Sequence, residues 1–172
     1  MKHIEGQSFI ARISVDTPGV QGSLKYTRAW GVAQSGWLMR HADTQSSLCL
    51  RFDYIEHTAD RVHYRVSGAA GSGEYEGAKV GISLNGFLGF YHVAAVNDFW
   101  KVQVLADWVP GQDLRFIWRD QEGHRVSMSR EFVPMKTKPV GNAPATRVAE
   151  LLCVNRASAT PLQFLATRVQ LL

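Results

Sequence analysis

Hydrophobic residues recur at every second position over much of this chain, the period of half-buried β-strands. The clearest stretch runs from Lys79 to Phe132. Val80, Ile82 and Leu84 share one face, and Asn85-Gly86 follows as a hairpin signal in which both central residues take positive φ. Phe87 to Val93 returns as a strand. Trp100, Val102 and Val104 alternate next; Leu114, Phe116 and Trp118 then line one side, with Arg115 opposite. Pro110 to Asp113 and Asp120 to Gly123 carry turn chemistry, and Arg125 to Phe132 leaves as a further strand. Earlier in the chain, Phe9, Ala11, Ile13 and Val15 face one way, up to the turn Asp16-Thr-Pro-Gly19. Leu48, Leu50, Phe52 and Tyr54 form a second such set, and Val62, Tyr64 and Val66 a third, with His63 and Arg65 on the outer face. Such patterning, broken by turns at short intervals, predicts a β-sandwich or a barrel.

Other segments are less regular. Gln21 to Met39 holds Tyr26, Trp30 and Trp37 between glycines, which suits short strands or a packed loop better than a helix. Ser67 to Gly77 is glycine-rich, but no Gly-Lys-Ser/Thr follows, so it predicts a mobile loop and not a phosphate cradle. Pro134 to Pro144 lacks periodicity and predicts an extended strap. From Ala145 onward, Val148, Leu151 and Leu152 fit a helical turn. Yet Val148, Glu150, Leu152 and Val154 alternate, as do Leu162, Phe164 and Ala166. The preferred expectation is a β-hairpin turning at Asn155 to Pro161. The organisation expected is a β-sandwich over residues 1–133, with 134–172 as a strap and C-terminal hairpin packed on it.

The chain has 172 residues, 45% hydrophobic and 20% charged, within ordinary globular composition. Its apolar runs are too short for a transmembrane segment. The start, Met1 to Gln7, lacks a secretory signal, so a cytoplasmic place or export by another route is expected. The formal charge is +4, but the cations are interleaved with acids, which argues against nucleic-acid binding. Cys49 and Cys153 have no zinc-type spacing and are expected as partly buried thiols, with a disulfide left open.

Candidate chemistry is sparse. Six histidines stand apart, so no local metal pair forms; His41 near Asp43 and His57 near Asp60 are expected as surface contacts. Glu74 and Glu76, two residues apart, would face the same side of a strand, whereas a glycosidase needs its carboxylates opposed across a substrate, which a single strand does not show. No nucleophile elbow occurs, and no cofactor or metal is expected. Trp100 and Trp118 fall in phase with the core. Trp37, Tyr91, His92, Asp98 and Trp108 lie at predicted strand ends, where exposed aromatics beside polar groups suit a sugar ring.

From about Leu48 to Phe132 the order of features resembles carbohydrate-binding modules of the galactose-binding-like jelly-roll type. The matching text is Val62-His-Tyr-Arg-Val66, Val80-Gly-Ile-Ser-Leu-Asn-Gly86, Phe99-Trp100 and Val109-Pro-Gly-Gln-Asp-Leu-Arg-Phe116. The resemblance implies an all-β, antiparallel β-sandwich of jelly-roll type and, more weakly, a sugar-binding role. The expected function is therefore a non-catalytic module that binds a carbohydrate at one end of the sandwich, with Trp37, Tyr91, His92, Asp98 and Trp108 as contacts. The alternative is a structural or protein-interaction subunit of a toxin, secreted assembly or phage-like particle. Apolar Leu162, Phe164, Leu165, Val169, Leu171 and Leu172 would then meet a protein partner or a second copy.

Overall fold

The computed structural model of the protein describes residues 4–27, 36–44, 46–92, 96–134 and 146–172. Trp30 and the proline-rich strap from 135 to 144 lie outside the described residues. Among the described residues there are thirteen strands: β1 (Phe9–Val15), β2 (Gly22–Tyr26), β3 (Leu38–His41), β4 (Cys49–His57), β5 (Val62–Gly68), β6 (Lys79–Ile82) and β7 (Leu88–Tyr91) come first. They are followed by β8 (Trp100–Val104), β9 (Leu114–Arg119), β10 (Ser127–Pro134), β11 (Thr146–Cys153), β12 (Thr160–Pro161) and β13 (Phe164–Leu171). Among the described residues the one helical piece is a 3-10 turn, Gly73–Tyr75.

The chain is all-β, but it is not a jelly-roll sandwich. Six antiparallel strands close on themselves in the order β1-β4-β5-β8-β9-β13, with β13 returning to β1. Hydrogen bonding therefore runs around a barrel instead of stopping at the edges of two sheets. Period-two patterning is the same in both architectures, because each buries one face of every strand. The difference lies in one pairing, β13 with β1 (Phe9 opposite Leu171, Val15 opposite Phe164), between segments about as far apart as the chain allows.

The barrel interior holds Phe9, Ile13, Phe52, Tyr64, Phe116, Trp118 and Phe164, all essentially inaccessible. Phe9 stacks on Phe52 at 4.6 Å, and Tyr64 meets both rings edge-on. Trp100 packs at 61° to Trp118, 5.2 Å away, and its Nε1 donates to the Val80 carbonyl at 3.0 Å. Burying rings of this size dominates the stability of such a core.

Two staves change partners along their length, and the outer strands grow from those splits. β5 pairs with β8 at Val62–Tyr64 and with β6 at Ser67. β1 pairs with β4 from Phe9 to Arg12 and with β2 at Ser14 and Val15. One arm continues as β6-β7 and the other as β2-β3-β11-β10-β12. The arms meet where Trp37 bridges Gly89 and Phe87 bridges Cys153, over a second apolar cluster that includes Met39, Phe87, Leu151 and Cys153.

Several sequence expectations are corrected by this connectivity. The Lys79–Phe132 stretch forms the hairpins β6-β7 and β8-β9 but no continuous meander, since β8 also pairs with β5 and β10 with β11. The loop Leu84-Asn85-Gly86 gives positive φ to Gly86 alone (83°), and Gly86 N–H donates to the Ser83 carbonyl, the three-residue bulged hairpin. Leu84 stands fully in solvent at that tip. The C-terminal segment is strand, as preferred, but β11 and β13 do not pair with each other: β11 pairs with β10 and β3, and β13 is a barrel stave. Leu162 and Phe164 are therefore buried, Val169 and Leu171 pack against the core, and Leu172 is half exposed. His63, expected outside, is covered by Phe99, whose ring stacks on it at 5.2 Å. The glycine-rich segment is tied down: Ser72 is buried, its hydroxyl donating to the Cys49 carbonyl at 2.8 Å, and Gly77 N–H donates to Gly68 at 2.8 Å.

Candidate functional site

Of the five residues expected at a sugar site, Trp37, Tyr91 and Asp98 lie over one face of the β6-β7 ribbon, around the opposed Gly81 and Gly89, and Trp108 lies elsewhere. Trp108 is buried, its Nε1 donating to the Gln112 carbonyl at 2.8 Å, and it holds the loop of the β8-β9 hairpin together. Trp37 is half-buried, with its ring 5.4 Å from Phe87 and its Cδ1 packed over Gly89. Asp98 turns inward, where Oδ2 accepts the Ile82 N–H at 3.2 Å. Tyr91 lies close by, against Gly81, and burial together with the Asp98 charge raises its phenol above the usual tyrosine range. His92 is exposed and stacks on Tyr75 at 5.7 Å. Tyr91, Asp98 and Trp37 thus border β7, and Trp108 belongs to another loop.

A different place gathers polar groups, several of them unengaged. Where β1 gives up β4 for β2, an open cleft of about 470 Å³ forms on the outer wall of the barrel. Arg12 and Ser14 reach it from β1, Thr44 and Ser47 from the β3-β4 loop, and Thr167 and Arg168 from β13. Leu165 contributes apolar wall, and Val15, whose side chain is buried in the core, only borders the cleft. Arg12 and Arg168 are exposed, and no described residue pairs with either guanidinium. The cleft also touches Asp16, but both of that carboxylate's oxygens are taken: Arg115 Nε donates to Oδ2 at 2.8 Å and Gln21 Nε2 to Oδ1 at 3.3 Å. Asp43, beside Thr44, accepts from Lys25 Nζ and from the Ser23 hydroxyl and lies 2.8 Å from His41 Nδ1.

The β13 wall of this cleft is built by a bulge. Ile10 faces Gln170 and Arg12 faces Thr167, so Arg168 and Val169 together oppose Ala11. Arg168 takes the left-handed backbone there, φ 51°, a conformation that favours glycine. Before the bulge Phe164 and Ala166 point inward; after it Val169 and Leu171 do. The inserted residue shifts the phase by one, so consecutive Thr167 and Arg168 both face the cleft.

A second cleft, about 340 Å³, lies beside the β6-β7 loop and contains an aspartate–histidine pair. Asp120 is buried; Oδ1 accepts the backbone N–H groups of Glu122 (3.0 Å) and His124 (2.8 Å), and Oδ2 sits 2.9 Å from His124 Nδ1. The carboxylate orients the imidazole, but no described serine, threonine or cysteine is hydrogen-bonded to it as a nucleophile would be. The expected His57–Asp60 contact is absent: His57 meets the Tyr54 hydroxyl at 2.8 Å. Glu74 lies within the 3-10 turn and Glu76 caps its end, and both are exposed. Cys49 and Cys153 are both free; burial pushes the Cys153 thiol up to about 11 and also raises Cys49, with Arg12 pulling Cys49 the other way. Among the described residues no three His, Cys, Asp or Glu side chains group as metal ligands, and no helix is long and apolar enough to cross a membrane.

Fold and cleft together define an all-β, closed-barrel protein with an open, cationic and hydroxyl-lined surface site. No model of a protein family matches the chain, and no curated protein or solved structure matches it either.

Proposed function

We propose that this protein is a non-catalytic binding module for a carbohydrate, and that the ligand occupies the cleft between β1, β13 and the β3-β4 loop. The observation that carries this reading is the set of unengaged hydrogen-bonding side chains around one open cavity: Ser47, Thr44 and Thr167 hydroxyls beside the donors of Arg12 and Arg168. A sugar offers many hydroxyls that both donate and accept, and such a lining can answer them while the half-buried Leu165 meets its C–H face. A glycan array followed by calorimetry tests it. Thr44 is exposed, so Thr44→Trp obstructs the cleft without disturbing the core. The expected result is a loss of about tenfold or more in affinity with an unchanged melting temperature. An array without any binder, or full affinity in the tryptophan variant, overturns the reading.

A second reading, a protein-interaction subunit, is favoured by one observation. Phe132 and Val148 lie directly opposite each other on the β10-β11 ribbon and are 76% and 46% exposed. An apolar pair held out in water gains by being covered. Light scattering of the wild type and of Phe132→Ser tests it: a concentration-dependent dimer lost in the variant supports this reading, and a monomer in both removes it.

A further inference from the structure

We infer that the cleft selects an anionic saccharide, one bearing a carboxylate or sulfate held between the guanidiniums of Arg12 and Arg168. This rests on the carbohydrate reading above and adds the charge of the ligand. Two exposed arginines share the cleft, and neither has a partner among the described residues. The acid that borders them, Asp16, is already neutralised by Arg115, so the cleft carries an excess of positive charge. Guanidinium forks bond carboxylate and sulfate oxygens in pairs, which gives direction as well as attraction.

The bulge supplies the second argument. In an unbroken strand Arg168 would follow Thr167 onto the opposite face and point toward the barrel interior. The bulge instead places the hydroxyl and the guanidinium side by side on one wall. It does so with arginine in a backbone conformation that arginine disfavours. Opposite, Arg12 stands in register with Thr167, so the two cations approach the same volume from neighbouring strands. Thr44 and Ser47 remain for the neutral hydroxyls of the ring, whereas the Ser14 hydroxyl donates to the Leu165 carbonyl at 3.5 Å.

The test uses calorimetry on the full chain with three probes of matched length: an oligogalacturonate, carrying carboxylates; a sulfated, uronate-free galactan fragment; and a neutral malto-oligosaccharide. The expected result is binding of one or both acidic probes at least about tenfold tighter than the neutral one, weakening as salt is raised. Arg12→Gln and Arg168→Gly should each weaken acidic binding about tenfold or more. Arg65→Gln, which removes an equal charge at an exposed position of β5, should leave it unchanged. Arg168→Gly keeps the bulge, since glycine accepts its φ, so its loss of binding reports the guanidinium and not the backbone. Equal binding of neutral and acidic probes, or equal loss in Arg65→Gln, overturns the inference while leaving a carbohydrate site standing. No binding of any probe removes both.

Discussion

Replacing Arg168 with glycine should make the protein more stable, although it deletes a side chain from a barrel stave. Arg168 holds φ at 51° where β13 bulges against Ala11. An L-residue with a Cβ pays about 1–2 kcal/mol in that region. Glycine escapes that strain but loses about 0.5–1 kcal/mol more backbone entropy on folding. The side chain is exposed and pairs with no described residue, so little favourable contact is lost. The net expectation is a gain of about 0.5–1 kcal/mol. In a chain of this length that raises the melting temperature by roughly 1–4 °C. Arg168→Ala keeps the strain and should stay within about 0.5 kcal/mol of wild type. Arg168→Val adds a branched Cβ to the same backbone and should lose about 1 kcal/mol or more. Urea unfolding followed by tryptophan fluorescence ranks the four proteins. If the glycine variant proves less stable than the alanine one, the bulge is not strained by its side chain and the reasoning fails.

Phe52→Ala removes a ring stacked on Phe9 at 4.6 Å inside the barrel and should cost about 3–5 kcal/mol, read by the same urea titration. Gly86→Ala forces a Cβ to within 2.9 Å of the Val154 carbonyl at φ 83°; a loss of about 1–3 kcal/mol is expected, and a neutral outcome would show that the β6-β7 loop yields easily. Cys153 makes stability fall at alkaline pH. Its thiol ionises near 9.0 when unfolded but is pushed up to about 11 by burial in the native protein. Between those values the native state holds the extra proton, so the contribution is complete below pH 9 and fades as pH rises toward 11, by up to about 2 kcal/mol. Stability measured from pH 8 to 10.5 should therefore decline more steeply in wild type than in Cys153→Ala, and parallel curves would contradict it.

Much of the barrel could be read from residue order, because burial imposes its period on each strand. Phe9, Ala11, Ile13 and Val15 are all inside, as are Leu114, Phe116 and Trp118, where alternation puts them. Partner choice was not legible. The residues of β13 alternate equally well whether that strand turns back on β11 or closes against β1. Trp108 looked like a loop aromatic because it follows the last alternating residue of its strand, yet its indole caps the hairpin through Gln112. The cleft was invisible for a related reason. Arg12, Ser47 and Arg168 meet only through the β1-β4 split and the β1-β13 pairing, and Thr167-Arg168-Val169 carries no glycine or asparagine to announce a bulge. A Gly or Asn there would have been the sequence signal; arginine concealed it.

The stave that seals the ring also sets a schedule. Phe164–Leu171 must lie between β1 and β9 before the aromatic interior is shut off from water. On the ribosome, the earlier staves emerge long before their last neighbour, and until then Phe9 and Phe116 face an open seam. Contacts of such high sequence separation form slowly. Nascent chains stalled ahead of residue 164 should therefore expose two unsatisfied strand edges and draw on chaperones, whereas chains stalled beyond residue 172 on a spacer should resist protease.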